Sequence, residues 1–204
     1  MKTIILALVA CILPVLAYAA DAPAAPATGK YVPYTAQNFG FSVSVPETGT
    51  IAAPGSDGWD REAEVAFEWY GADTDPVKLI MARVDDAGAP LDDKSFKAFT
   101  DELLSYWSPS KPAAGAPGTN DTAATGNTSF EVLNTADNLQ IGNRTWNLIE
   151  VKDKSDPKTT VYYSVFSTWD GSKIYTLTFY YLTPTMDQVQ KFGTPVLLGF
   201  KVAK

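Results

Sequence analysis

Apolar and polar residues alternate along much of this chain. Between residues 38 and 49, Phe39, Phe41, Val43 and Val45 take turns with Gly40, Ser42 and Ser44, the two-residue period of a strand with one buried face. Pro46 closes the run because it brings no ladder donor. Ala63, Val65, Phe67 and Trp69 repeat the alternation, and residues 77–84 give a third run after the turn-rich stretch 71–76. Further runs occupy 130–133, 145–151, 160–169 and 173–182. The last two flank Asp170 and Gly171, a hairpin signal whose glycine accepts the positive φ of a tight turn.

In VYYSVF (161–166) and IYTLTFYY (174–181) large side chains occupy both parities. A strand of that kind needs cover on both faces. Two helices are available. Phe96, Phe99, Leu103, Tyr106 and Trp107 follow helical spacing behind Asp92 or Asp93 as the cap. Met186, Val189 and Phe192 do the same after Thr183 and Pro184, and Pro195 is expected to kink or restart that helix. The expected fold is α+β, a mainly antiparallel sheet covered by a helix on each face.

The ends and gaps of the pattern set the domain limits. Residues 1–19 read as a cleaved secretory signal: Lys2, an apolar run over 4–16, then Ala17-Tyr18-Ala19 as the small-x-small cleavage pattern. A membrane helix is the competing reading, against which stand Pro14 and the need for about 20 apolar residues. Leu8 to Cys11 also resembles a lipobox, which would anchor the chain to the membrane by a lipid at Cys11. Residues 20–29, rich in Ala and Pro, are expected to be a solvated linker. A single domain then runs over 30–204, with a flexible Ala/Gly/Pro/Ser/Thr-rich loop at 108–128.

Composition narrows the function. The formal charge is −7, and cleavage after Ala19 removes Lys2 and no acid. An acidic chain is a poor match for nucleic acid, whose affinity comes from neutralising phosphates. Cys11 is the one cysteine, so the cleaved protein would have neither disulfide nor thiolate ligand and would depend on its core. There is no histidine, which removes Ser-His-Asp and Cys-His catalysis and the commonest transition-metal ligand.

The order of elements resembles the PsbP-like α/β/α sandwich superfamily, which includes DcrB-like periplasmic proteins and a Ran-binding family. FGFSVSVP, the helix ending in Tyr106-Trp107, IGNRTWNLIEV, WDGSKIYTLTF and the closing VLLGFKV carry the resemblance. Glu47, Thr48 and Gly49 depart from it where family members often have an aromatic after the proline. The resemblance implies an exported, noncatalytic protein-binding or assembly module, partnered by an envelope or secreted protein. It carries over no site residue and no cofactor.

Other chemistry is weighed residue by residue. Ser108/Lys111 and Ser155/Lys158 form S-x-x-K, but neither opens a helix as that motif requires. Asp60, Glu62, Glu64 and Glu68, near Trp59 and Trp69, are the candidates for a carboxylate hydrolase, although alternation alone makes the glutamates the solvated face of a strand. Asp73 and Asp75, with Asp85, Asp86, Asp92 and Asp93, lack a calcium loop and read as turns and caps. Asn120, Asn127 and Asn143 begin N-x-S/T sequons. Trp59, in the turn SDGWDR, has no patterned partner to bury it and is the residue expected to touch a partner. A third reading is a structural component of a surface layer or filament.

Overall fold

The computed structural model describes residues 29–108, 129–156, 158–182 and 186–203. The leader with Cys11, most of the linker, the stretch 109–128 and the Thr183–Pro184 cap lie outside the described residues. After a first strand β1 (Tyr31–Ala36) and a single 3-10 turn come β2 (Phe41–Pro46), β3 (Thr50–Ala52), β4 (Val65–Tyr70) and β5 (Val77–Asp86). Helix α1 (Asp93–Trp107) precedes β6 (Phe130–Ile141), β7 (Arg144–Asp156), β8 (Thr159–Asp170) and β9 (Lys173–Tyr181). Helix α2 (Met186–Leu198) and the short β10 (Lys201–Val202) close the chain.

Seven strands make one antiparallel sheet in the order β3-β4-β5-β9-β8-β7-β6. The chain is α+β, as expected. Its last hairpin turns on Gly171 and Ser172, between the paired Asp170 and Lys173. Gly171 has φ 62, the positive angle that the first position of a II′ turn demands. β8 and β9 lie inside the sheet; one face of β9 packs into the main core, while on the other Thr178 and Tyr180 stay half-exposed, so the expected cover on both faces is met only in part.

One expectation is corrected. The strand at 39–45 does not join the large sheet: β2 pairs with β1 and β10 in a separate three-stranded sheet, and Phe39 belongs to the 3-10 turn. Alternation fixes which face of a strand is buried but not its hydrogen-bonding neighbour. The small sheet lies over one face of the large one. Phe41 meets Phe67, Tyr175 and Phe200 at ring centroid distances of 6.2, 5.7 and 5.3 Å. From α2, Phe192 reaches the fully buried Trp69 at 5.4 Å. Tyr31 ties the two roof pieces together by donating to the Phe192 carbonyl at 2.9 Å, and burial pushes its hydroxyl pKa up to about 12.

Side chains of the other parity form a smaller cluster. Ile149, Val151 and Val165 are buried there with Leu103, Leu104 and Trp107 of α1 against them. Asp92 caps α1, accepting from the Ser95 N–H at 2.7 Å and its hydroxyl at 2.6 Å. Helix α2 runs on through Pro195 without restarting, and Thr194 Oγ1 donates to the Gln190 carbonyl at 2.7 Å just before it. Among the described residues no helix is long and apolar enough to cross a membrane.

The glycine at 49 has a steric reason. Trp69 Nε1 donates to the Pro46 carbonyl at 2.9 Å, which brings the turn down onto the indole. A Cβ on Gly49 would stand 2.3 Å from that ring and 2.3 Å from the Tyr70 carbonyl, so no larger residue fits.

Candidate binding surfaces

Two surfaces stand out from the fold. The first is a groove of about 610 Å³ where the start of α1 meets the ends of β6, β7 and β8. It exists because β6 is irregular. The register with β7 slips between Ala136 and Leu139, so Asp137 and Asn138 leave the ladder, and Asn138 takes a left-handed φ of 60. Its freed N–H donates at 3.0 Å to Oδ1 of Asn147, which is 6% exposed. Asn147 Nδ2 in turn donates to Thr100 Oγ1 on α1 at 3.3 Å. Three elements are thereby pinned by one buried amide.

The groove's two basic side chains are paired. Lys97 Nζ lies 2.7 Å from Asp101 and 3.8 Å from Asp137; the hydrogen bond to Asp101 is the main cause of its raised pKa. Arg144 donates to the Trp169 carbonyl and to Asp170 Oδ2, both at 3.2 Å. Trp169 lies half-buried in the lining, its ring 6.3 Å from that of Phe96.

The second surface is the half of the large sheet that α1 leaves open. Helix α1 lies nearest β6 and β7, so Leu79 and Met81 on β5, and Thr178 and Tyr180 on β9, stay half-exposed although their strands are paired on both sides. Beside them Tyr70 is 39% exposed. On α1, Phe99, Leu103 and Tyr106 share one stripe by the 3.6-residue repeat; the first two are half-buried and Tyr106 is 68% exposed.

A charged network runs along the β4–β5 side. Glu68 Oε1 accepts from Arg61 Nε at 3.0 Å, and its other oxygen accepts from the Tyr70 hydroxyl. That bond is the main cause of the raised Tyr70 pKa. Arg83 donates to Glu62 at 2.5 Å and to Asp85 at 3.0 Å. Glu68 is 5% exposed, which corrects its expected place on a solvated face. Arg61 on one carboxylate oxygen and Tyr70 on the other cover it, which alternation does not reveal.

No protein-family model matches the chain, and no curated protein does. Solved structures do. Cyanobacterial PsbP (CyanoP) from Synechocystis sp. PCC 6803 matches with a TM-score of 0.54 at 11% identity, over 85% of this chain and 93% of that one. The Saccharomyces cerevisiae Ran-binding protein Mog1 matches at 0.52 and 10%, over 87% and 97%. A crystal structure from Bacteroides thetaiotaomicron matches at 0.53 and 12%, over 86% of this chain but 49% of that one. The chain has the PsbP-like fold.

Within the PsbP-like fold the residues singled out from the sequence fall apart from one another. Trp59 is half-buried in the turn after Ser56, to whose carbonyl its N–H donates at 3.1 Å. It lies two residues from Arg61. Of the nearby acids, Glu62 is held by Arg83 and Glu68 by Arg61, each through a separate arginine.

Asp75 Oδ2 accepts from the Ala72 N–H at 2.8 Å and from Thr48 Oγ1 at 2.9 Å. At that turn Lys78 Nζ donates to the carbonyls of Asp73 and Asp75 at 2.7 and 2.6 Å. The chain's own ammonium therefore occupies the cluster of oxygens that a cation would seek. Asp85 pairs with Arg83, Asp86 accepts from the Gly88 N–H, and Asp92 caps α1.

Ser108 ends α1, donating its hydroxyl to the Leu104 carbonyl, while Lys111 lies outside the described residues. Ser155 and Lys158 are exposed in the β7–β8 turn. Asn143 is exposed beside the groove; Asn120 and Asn127 lie outside the described residues. Sequence reasoning missed the groove. Its one trace is NTADN at 134–138, where the alternation of β6 loses its apolar members.

Proposed function

We propose that this protein is an exported, noncatalytic module that binds another protein in the cell envelope or extracytoplasmic space, an α/β/α sandwich with a helix over each face of its sheet. The observation that carries the binding role is the open half of the sheet. Leu79, Met81 and Tyr180 form a half-exposed apolar floor, and Arg61, Glu62, Arg83 and Asp85 stand beside it. An apolar centre with a polar rim is the anatomy of a protein interface, so the partner presents an apolar strip edged by charges of both signs. Trp59, two residues before Arg61 in the chain, contacts the partner from the rim. That the Saccharomyces cerevisiae structure sharing this fold is named a Ran-binding protein supports a binding role. The leader pattern at 1–19 supports export.

A photo-crosslinking residue at Tyr180 of the full chain, expressed in its own host, is expected to capture one envelope or secreted protein in stoichiometric amount. The same residue at exposed Ser155 is expected to capture none. Met81→Arg is expected to abolish the complex while leaving the circular dichroism unchanged. Equal capture from both positions, or a complex indifferent to Met81→Arg, overturns the proposal, and a chain that fractionates with the cytoplasm still carrying residues 1–19 overturns the exported part of it.

A further inference from the structure

We propose that the groove at the start of α1 is a carbohydrate site for an uncharged oligosaccharide, separate from the open half of the sheet that takes the protein partner. Its size suits a small ligand, for which pockets run to about 300–1,000 Å³, against about 610 Å³ here. It is a built site. The β6 irregularity projects Asp137 and Asn138 to the groove, and the buried Asn147 amide holds the distortion in place from β7 with its other end on α1. Bulges of this kind re-aim side chains and recur beside functional sites.

The lining selects the ligand class by what it offers and what it withholds. Lys97 is matched by Asp101 and Asp137, and Arg144 by Asp170, and Asp93 adds a further acid to the lining, so the groove presents no unmatched cation to a phosphate. What remains are the side-chain amides of Asn138 and Asn143. They make no hydrogen bond among the described residues and share the lining with Thr145, whose hydroxyl already donates to Gln140 Oε1 at 3.0 Å. An amide carries both donors and an acceptor, the complement of a sugar hydroxyl, which is both at once. Trp169, half-buried beside Phe96, supplies an apolar surface for the C–H face of a pyranose. A peptide offers similar amides but is usually captured as an added strand, and the same irregularity breaks the regular edge of β6 where that strand would pair.

The test is titration of the full cleaved chain with cellotriose, maltotriose and triacetylchitotriose, followed by isothermal calorimetry and by the indole N–H signals in nitrogen-15 spectra. At least one sugar is expected to bind saturably with a dissociation constant below about 1 mM and to shift the Trp169 indole signal. Asn143→Ala, at an exposed position, and Trp169→Ala are each expected to weaken it about tenfold or more, whereas Met81→Arg leaves it unchanged. Should Trp169→Ala fail to fold, Asn143→Ala and Asn138→Gly carry the test. No sugar shifting the Trp169 signal, triglycine or inorganic phosphate binding there more tightly, or sugar binding indifferent to Asn143→Ala overturns the proposal. Because Tyr180 pairs with Tyr163 at the opposite end of β8 and β9 from Trp169, the two proposals fail independently.

Discussion

Glu150 shows how one residue can work against its own fold. It is buried on β7, and one of its oxygens accepts from Asn134 Nδ2 at 3.0 Å. Burial raises its pKa, and the Asn134 bond offsets this in part. Tyr181, whose own pKa is raised by burial, is a further neighbour within electrostatic reach, its hydroxyl 3.1 Å from Ser164 Oγ. A carboxyl whose pKa is higher folded than unfolded contributes stability below its ordinary range, and that stability is lost as pH rises through the raised value. Glu150→Gln keeps an acceptor for Asn134 and removes the charge. The variant is expected to be more stable than the parent at about pH 7, with the gap closing near pH 4, at the ordinary glutamate pKa of about 4.3. Urea midpoints at the two pH values measure it; a gap independent of pH refutes it. Reading GNRTWNLIEV as a strand places Glu150 on the parity of Trp146 and Leu148, the pattern of a buried carboxylate. The sequence does not reveal Asn134, because it comes from a strand paired across the sheet.

At the level of elements, Asn147 joins α1, β6 and β7 through a single side chain. Asn147→Ala would remove the acceptor of the part-buried Asn138 N–H bond, and loss of such a hydrogen bond costs about 0.5–1.5 kcal/mol. The loss is expected as a lowered unfolding midpoint together with changed amide shifts at 136–139. A variant with shifts as in the parent would mean that the irregularity of β6 holds itself. Helices and strands were legible wherever one face is apolar, as in α1 with its Asp92 cap and in β5. They were illegible where neighbours do the stabilising. β6 is four residues as read from its apolar run and twelve as folded, because hydrogen bonds to β7 carry the polar stretch NTADNLQI. β1, β3 and β10 went unread for a related reason: each is short or proline-bearing and exists through its pairing partner.

The whole molecule is unequal on its two sides. One face of the large sheet carries the main core, continuous from Phe41 and Val45 through Trp69, Phe179 and Trp146 to Phe192 and Val196. The other holds the small cluster of Ile149, Val151 and Val165 under α1. Regions with fewer buried contacts open at lower free energy. In native-state hydrogen exchange the amides of α1 are therefore expected to exchange before those of β8 and β9. Equal protection would show that α1 is bound into the global unfolding unit. The same imbalance leaves the half-face of Leu79, Met81 and Tyr180 open.

The sequence by itself determined the α+β class, the antiparallel hairpin at Gly171, the place of α1 and the burial of one face of β8 and β9. Each of these follows from side-chain periodicity or a local backbone requirement, and both are written within a few residues. Only the tertiary structure decided that β2 leaves the large sheet to roof it, that Glu68 is buried beneath Arg61, and that a slipped register opens a groove beside α1. Those outcomes depend on which distant strand supplies a hydrogen-bond partner, and periodicity carries no information about the identity of that neighbour.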